Sequence, residues 1–156
     1  WLDAEPQLFH PGDLDYIHSV ERISKLSNVI SINGGVQLDL MGQENAESTG
    51  TRQLSGIGGQ MDFLEGAYRS KGGKGFICIN SSRVTKDGER KSNILATIPG
   101  GSTISAPRTM IQYVATEYGI ASLSGKTLRE RAEAMASIAH PDFREELMKY
   151  ARENFK

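Results

Sequence analysis

The sequence predicts an α/β domain, and three observations carry that reading. Short apolar runs of strand length alternate with stretches in which apolar residues recur every three or four positions. Glycine and proline clusters, "GIGG", "KGGKG" and "PGG", punctuate them. The 156 residues also suit one compact core, since roughly 100 to 150 residues is the commonest domain size.

Taken in order, residues 1–14 have weak periodicity and two prolines, and read as a tail or linker from a preceding part of a longer protein; the domain proper is expected over 15–156. "SVERISKL" (19–26) places Val20, Ile23 and Leu26 on one side of a short helix. "NVISIN" and "GVQLDLMG" follow as two strands joined near Asn33 and Gly34, with Val36, Leu38 and Leu40 facing the core and Gln37 and Asp39 turned away. "QENAESTGT" is a polar loop. After the glycine turn at 55–60, "QMDFLEGAYRS" has helical spacing at Met61, Leu64 and Tyr68.

"KGGKGFICIN" reads as a turn and then a strand, Phe76 to Ile79 forming a continuous run of the fully buried kind with Cys78 as an inert buried thiol. A basic loop, "SSRVTKDGERKSN", leads to a strand at "ILATI", and "PGGSTISAPR" is a second turn cluster before a strand in "TMIQYVATEYG". Residues 127–138 form a helix with Leu128, Ala132, Met135 and Ala136 on one stripe. His140 and Pro141 end it, and "PDFREELMKYARENF" begins a last helix with proline at its head and Asp142 in its first turn.

Composition excludes several functions. Eighteen Lys and Arg against nineteen Asp and Glu leave a net charge of −1, so no global field draws the chain to nucleic acid or to an anionic membrane. Cys78, the single cysteine, excludes an internal disulfide and a cysteine zinc site. The three histidines share no metal-ligand spacing with a carboxylate, so no metal is expected. Without a long apolar run or a signal-peptide pattern, the reading places the protein in the cytoplasm.

Two glycine motifs imitate nucleotide sites. Gly56 and Gly58 match the first two glycines of a dinucleotide fingerprint, but the third position holds Met61. Gly125, Lys126 and Thr127 imitate a phosphate-binding loop, yet its first glycine would have to stand at Ile120, one residue past Gly119. The simpler reading is a helix start capped by Ser124 or Thr127, with Glu130 at capping-box spacing from Thr127.

The turn at Ser55–Gln60 differs from both. Its bare backbone opens a helix and offers consecutive amides to a negative charge; the alternative is a purely structural turn. Asp62 then complements the helix dipole. Glu44, Glu47, Glu65 and Glu117 are candidate acids, each more simply a solvated carboxylate. His18 is either a polar group at a site's edge or a capping residue, and His10 and His140, each before a proline, are boundary residues.

Three blocks, "VISINGGVQLDLMGQENAEST", "SGIGGQMDFLEGA" and the long run from "APRTMIQYVATEYG" to "HPDFREEL", resemble the C-terminal domain of the acetyl-CoA hydrolase/transferase family, and the likeness extends from Asp15 to the end. The resemblance implies a CoA-transferase-like (NagB/RpiA-like) fold, a mixed sheet flanked by helices. It implies an acyl-CoA:carboxylate CoA-transferase working through a glutamyl-CoA thioester, with coenzyme A as substrate and no metal. In the family the oxyanion of each tetrahedral intermediate is held partly by backbone amides, which carry over to Gly58 and Gly59. Gly56, Ile57, Gln60, His18 and Asn33 would line the substrate cleft, and Lys74 and Lys86, with Arg83 beside them, would meet the CoA phosphates. The family's nucleophilic glutamate lies upstream of the part this chain resembles, so the 156 residues alone are expected to be inactive. Implied partners are an acyl-CoA, a short-chain carboxylate, the N-terminal CoA-transferase domain and a second copy in a homodimer. Two readings stand beside it: an acyl-CoA hydrolase of the same family, and a CoA-binding module without chemistry.

Overall fold

The computed structural model describes residues 1–155 and bears out the α/β reading. After a single 3₁₀ turn at Pro6–Leu8, α1 (Leu14–Ile17) and α2 (Val20–Lys25) lead into β1 (Ile30–Gly34) and β2 (Gln37–Asp39). Three short strands, β3 (Glu44–Asn45), β4 (Ser48–Thr49) and β5 (Arg52–Gln53), precede α3 (Gln60–Arg69). Then come β6 (Lys74–Cys78), β7 (Ser82–Val84), β8 (Arg90–Ser92), β9 (Ile94–Leu95), β10 (Tyr113–Thr116) and β11 (Gly119–Ser122), and finally α4 (Leu128–Ser137) and α5 (Pro141–Asn154).

The main sheet has the order β1-β6-β10-β11, with the first three strands parallel and β11 turned back on β10. A second sheet, β3-β2-β9, stands beside it. Helix α3 lies on β1 and β6, α4 packs on β11, and α5 packs on α4. Leu38, Leu40, Leu64, Ile77, Val114 and Met135 are among the largest side chains sealed in the core between these layers.

Helix α4 starts where the sequence marks it. The Thr127 side chain accepts from the Glu130 amide while the Glu130 carboxylate accepts from the Thr127 amide, so two otherwise orphaned donors are satisfied reciprocally. Thr127→Ala is therefore expected to cost about 1 kcal/mol, read as a fall of roughly 2–4 °C in the melting temperature. Pro141 occupies the first turn of α5 behind an His140 cap.

Several expectations fail, for physical reasons. Gln37 and Asp39 are buried rather than turned to solvent, because β2 is the middle strand of the second sheet; Asp39 accepts from the Gln43 amide at 2.9 Å and side chain at 2.8 Å. Tyr68 is 53% exposed. Helix α3 instead presents Leu64, Gly66 and Ala67, and a Cβ on Gly66 would stand 2.4 Å from Ile23 Cγ2, so a small residue sets the approach of α2. Leu26 and Leu128, placed on buried stripes by spacing, sit at helix ends and are exposed.

Cys78 is exposed, not a buried thiol. Residues 76–79 alternate: Ile77 and Ile79 face the core, whereas Phe76, stacked on Tyr113 at 4.9 Å, and Cys78 share the opposite face with the exposed Ile30 and Ile32. The strand expected across 109–119 occupies only Tyr113–Thr116, and the basic loop is a hairpin of β7 and β8.

Candidate functional site

Helix α3 connects the parallel strands β1 and β6, so its amino end lies at the carboxyl ends of those strands. That edge is where open α/β sheets bind ligands. The glycine turn immediately precedes it. Leu54 and Ser55 donate their amides to the Glu47 carbonyl, at 2.6 and 3.2 Å, and the next four amides, of Gly56, Ile57, Gly58 and Gly59, make no hydrogen bond among the described residues. Ser55 therefore leaves the set of free donors that the sequence suggests. The turn is exposed from Gly56 to Gly58 and half-buried at Gly59 and Gln60.

Two glycines are required here. Gly58 has φ +59°, a left-handed conformation that a side chain disfavours. Gly59 caps α3 without any side-chain bond, and a Cβ on it would stand 2.2 Å from His18 Cε1. The imidazole thus lies against the turn. It is held there by Asp62, whose Oδ2 is 3.5 Å from Nδ1, and by edge contact with Phe63 at a centroid distance of 5.1 Å. His18 is also the C-cap of α1, as the capping reading expects.

Gln60 reaches inward, donating to the carboxyl of Glu44. Glu44 is wholly buried, not a solvated loop residue, and Asn45 and Ser48 are buried beside it. Burial pushes the Glu44 carboxyl up to about 8, against the opposing bond from Gln60 and with a further push from Glu47. The Asn45 side chain closes this segment on itself, accepting from the Glu47 and Ser48 amides at 3.1 and 2.9 Å. No residue type in "QENAES" separates a packed polar strap from a solvated loop, which is why sequence reasoning missed it.

Asn33 stands at the carboxyl end of β1 on the face that α3 covers, and donates to Ser31 Oγ at 2.8 Å. The basic residues do not gather. Lys74 opens β6 and so lies at the end of the sheet away from the turn, whereas Lys86 is exposed at the tip of the β7–β8 hairpin. Arg83 is tied to Asn93 at 2.5 Å. Of the candidate acids, Glu65 pairs with Arg69. Glu117 accepts from the Ser81 amide at 2.9 Å and hydroxyl at 2.5 Å; burial pushes its carboxyl up, but these bonds outweigh it and hold it below the usual range. Among the described residues no group of three or more His, Cys, Asp or Glu is placed to hold a metal ion, and no helix is long and apolar enough to cross a membrane.

Comparison with known proteins adds a family. The model described as "Acetyl-CoA hydrolase/transferase C-terminal domain" matches residues 1–151. The butyryl-CoA:acetate CoA-transferase of Anaerostipes caccae is 46% identical over 151 residues, covering 97% of this chain and 34% of the relative. The 4-hydroxybutyrate coenzyme A transferase of Clostridium kluyveri is 47% identical over 142 residues, covering 91% of this chain and 32% of the relative. A crystal structure of 4-hydroxybutyrate CoA-transferase from Porphyromonas gingivalis superposes with a TM-score of 0.71 at 40% identity, over 90% of this chain and 30% of that one. The chain thus spans about a third of the length of the curated relatives it matches.

Proposed function

Since the chain belongs to the acetyl-CoA hydrolase/transferase family as its C-terminal domain, we propose that it supplies the oxyanion-binding turn of an acyl-CoA:carboxylate CoA-transferase. The nucleophile is a glutamate outside these 156 residues. The observation that carries this reading is the run of four amides at Gly56–Gly59, free of hydrogen bonds among the described residues, at the amino end of α3.

The chemistry needs such a turn four times. Attack of the glutamate carboxylate on the thioester carbonyl makes a tetrahedral oxyanion, which collapses by expelling CoA thiolate to leave an acyl-glutamyl anhydride. The thiolate then attacks the glutamyl carbonyl of that anhydride, releasing the first carboxylate and forming glutamyl-CoA. The acceptor carboxylate attacks glutamyl-CoA and expels CoA thiolate to form a second anhydride, whose acyl carbonyl the thiolate then attacks, giving the new acyl-CoA and freeing the glutamate. At every stage a carbonyl oxygen gains charge, and N–H groups fixed before the reaction stabilise it without reorganising. Gly58 and Gly59 are the proposed donors, aided by the positive end of the α3 dipole. His18, against Gly59, orients the group that lies on the turn; Lys86 is the basic residue proposed for the CoA phosphates.

The test uses the full-length enzyme with a short-chain acyl-CoA, with and without acetate. CoA transfer that depends on the acceptor is expected. Equal loss of thioester without acetate would instead establish the hydrolase.

A further inference from the structure

The buried polar segment between β2 and α3 holds the glycine turn from both ends. At one end the Glu47 carbonyl accepts from the Leu54 and Ser55 amides. At the other, the Glu44 carboxyl accepts from Gln60, the residue that follows Gly59 directly. The segment is itself fixed: the Glu44 amide donates to the Ala106 carbonyl at 3.0 Å, the Ser105 amide donates to the Glu44 carbonyl at 2.8 Å, and the Ser105 hydroxyl donates to the Glu47 carboxylate at 2.7 Å. The second carboxyl oxygen of Glu44 is buried without a hydrogen-bond partner. It lies 2.8 Å from where a Cβ on Gly35 would stand, beside the γ-methyls of Ile77 and Ile79.

We propose that Glu44 is a positioning residue, which through Gln60 fixes the start of α3 and hence the aim of the Gly58 and Gly59 amides. The inference rests on the oxyanion reading above for its effect on rate, but not for its effect on the turn.

A buried oxygen without a partner and a single donor on the other suit a neutral acid, and with its carboxyl raised to about 8 Glu44 is protonated at neutral pH. The charged groups on the elements packed around it reinforce that state or are engaged elsewhere. Glu47, on its own segment, is a like charge. Asp39 on β2 is occupied by Gln43, Asp62 and Glu65 on α3 by His18 and Arg69, and Arg108, beyond Ala106, lies against Met41. Cys78 on β6 is on the opposite face of the sheet. An ionised Glu44 in this place must be hydrated, which requires the segment to open and lets go of the turn. The equilibrium for that opening rises about tenfold per pH unit between the ordinary carboxyl range and the folded value of about 8, and levels off above it.

The experiment measures kcat from pH 6 to 9.5 and hydrogen-exchange protection of residues 54–64, corrected for intrinsic exchange, in the full-length enzyme and in its Glu44→Gln and Gln60→Ala variants. In the unmodified enzyme kcat and the protection of the bonded amides of Leu54, Ser55 and Phe63 should fall together from pH 6 to about pH 8, protection by up to tenfold per pH unit, and level off above it. Glu44→Gln, which cannot ionise, should abolish both of these falls. Gln60→Ala, which removes the donor to Glu44, should lower protection at every pH. If protection in 54–64 is the same at pH 7 and pH 9, or the fall survives in Glu44→Gln, the positioning role is overturned. A protection switch without a change in kcat would confirm the strap and remove the oxyanion reading instead.

Discussion

Arg131→Ala should lower the stability of the domain by about 3–5 kcal/mol, the usual cost of breaking a buried charged network. Arg131, a residue only 8% exposed, joins three separate segments by donating to three carbonyl oxygens. Nε reaches Met41 at 2.8 Å, Nη1 reaches Leu123 at 2.8 Å and Nη2 reaches Arg108 at 2.7 Å. Burial lowers its pKa and Arg108 lowers it further, while Asp39 opposes them; a guanidinium remains charged nevertheless. Each bond from a charged donor contributes about 1.5–3 kcal/mol, and the three are not additive because they share one side chain.

Gly42 leaves room for this arrangement, since a Cβ there would stand 2.7 Å from Nη2. The expected readout is a fall of roughly 10 °C in the melting temperature, with the free energy taken from urea unfolding. Arg131→Lys should recover only part of it, because an ammonium cannot span three carbonyls in a planar fork. A loss below about 1 kcal/mol in the alanine variant would mean that water replaces the guanidinium at little cost.

Arg131 also shows where sequence reasoning runs short. The α4 stripe of Ala132, Met135 and Ala136 was legible from spacing, because helical periodicity records which side of a helix is apolar. A buried arginine breaks that record. It faces inward for the sake of carbonyls at Met41, Arg108 and Leu123, which have no side-chain signature. Glu44 and Asp39 escaped for a related reason: Glu44 is bonded to Gln60, sixteen residues on, and Asp39 to the amide and side chain of Gln43 in the next turn, and a polar run reads alike whether it is packed or solvated. At β6 the error ran the other way, since an apolar run cannot say that only one face of the sheet is covered. The turn at Gly56–Gly59 and His18 were legible because glycine enrichment and the onset of helical spacing are local, yet their contact with each other was not. Only the fold brings α1 to the head of α3.

Gly58→Val in the full-length enzyme is expected to reduce kcat about a hundredfold or more, the typical cost of losing one oxyanion donor. The left-handed φ of +59° is open to glycine but strained for a β-branched residue. A Cβ at this position meets nothing within 4 Å, so the side chain is not rejected by a clash. The strain is instead relieved by rotating the backbone, which swings the peptide planes on either side of residue 58 and turns their N–H groups away. Gly125→Val is the matched control. Gly125 has a similar φ of +73° with nothing within 4 Å of its Cβ, but it precedes α4, beyond the end of β11 that lies away from the turn. The two variants should lose similar stability, about 1–2 kcal/mol each, while only Gly58→Val loses turnover, with kcat rather than KM carrying the loss because the contact is made to charge that develops in the transition state. Equal kcat values in the two variants would separate the amides of this turn from the chemistry.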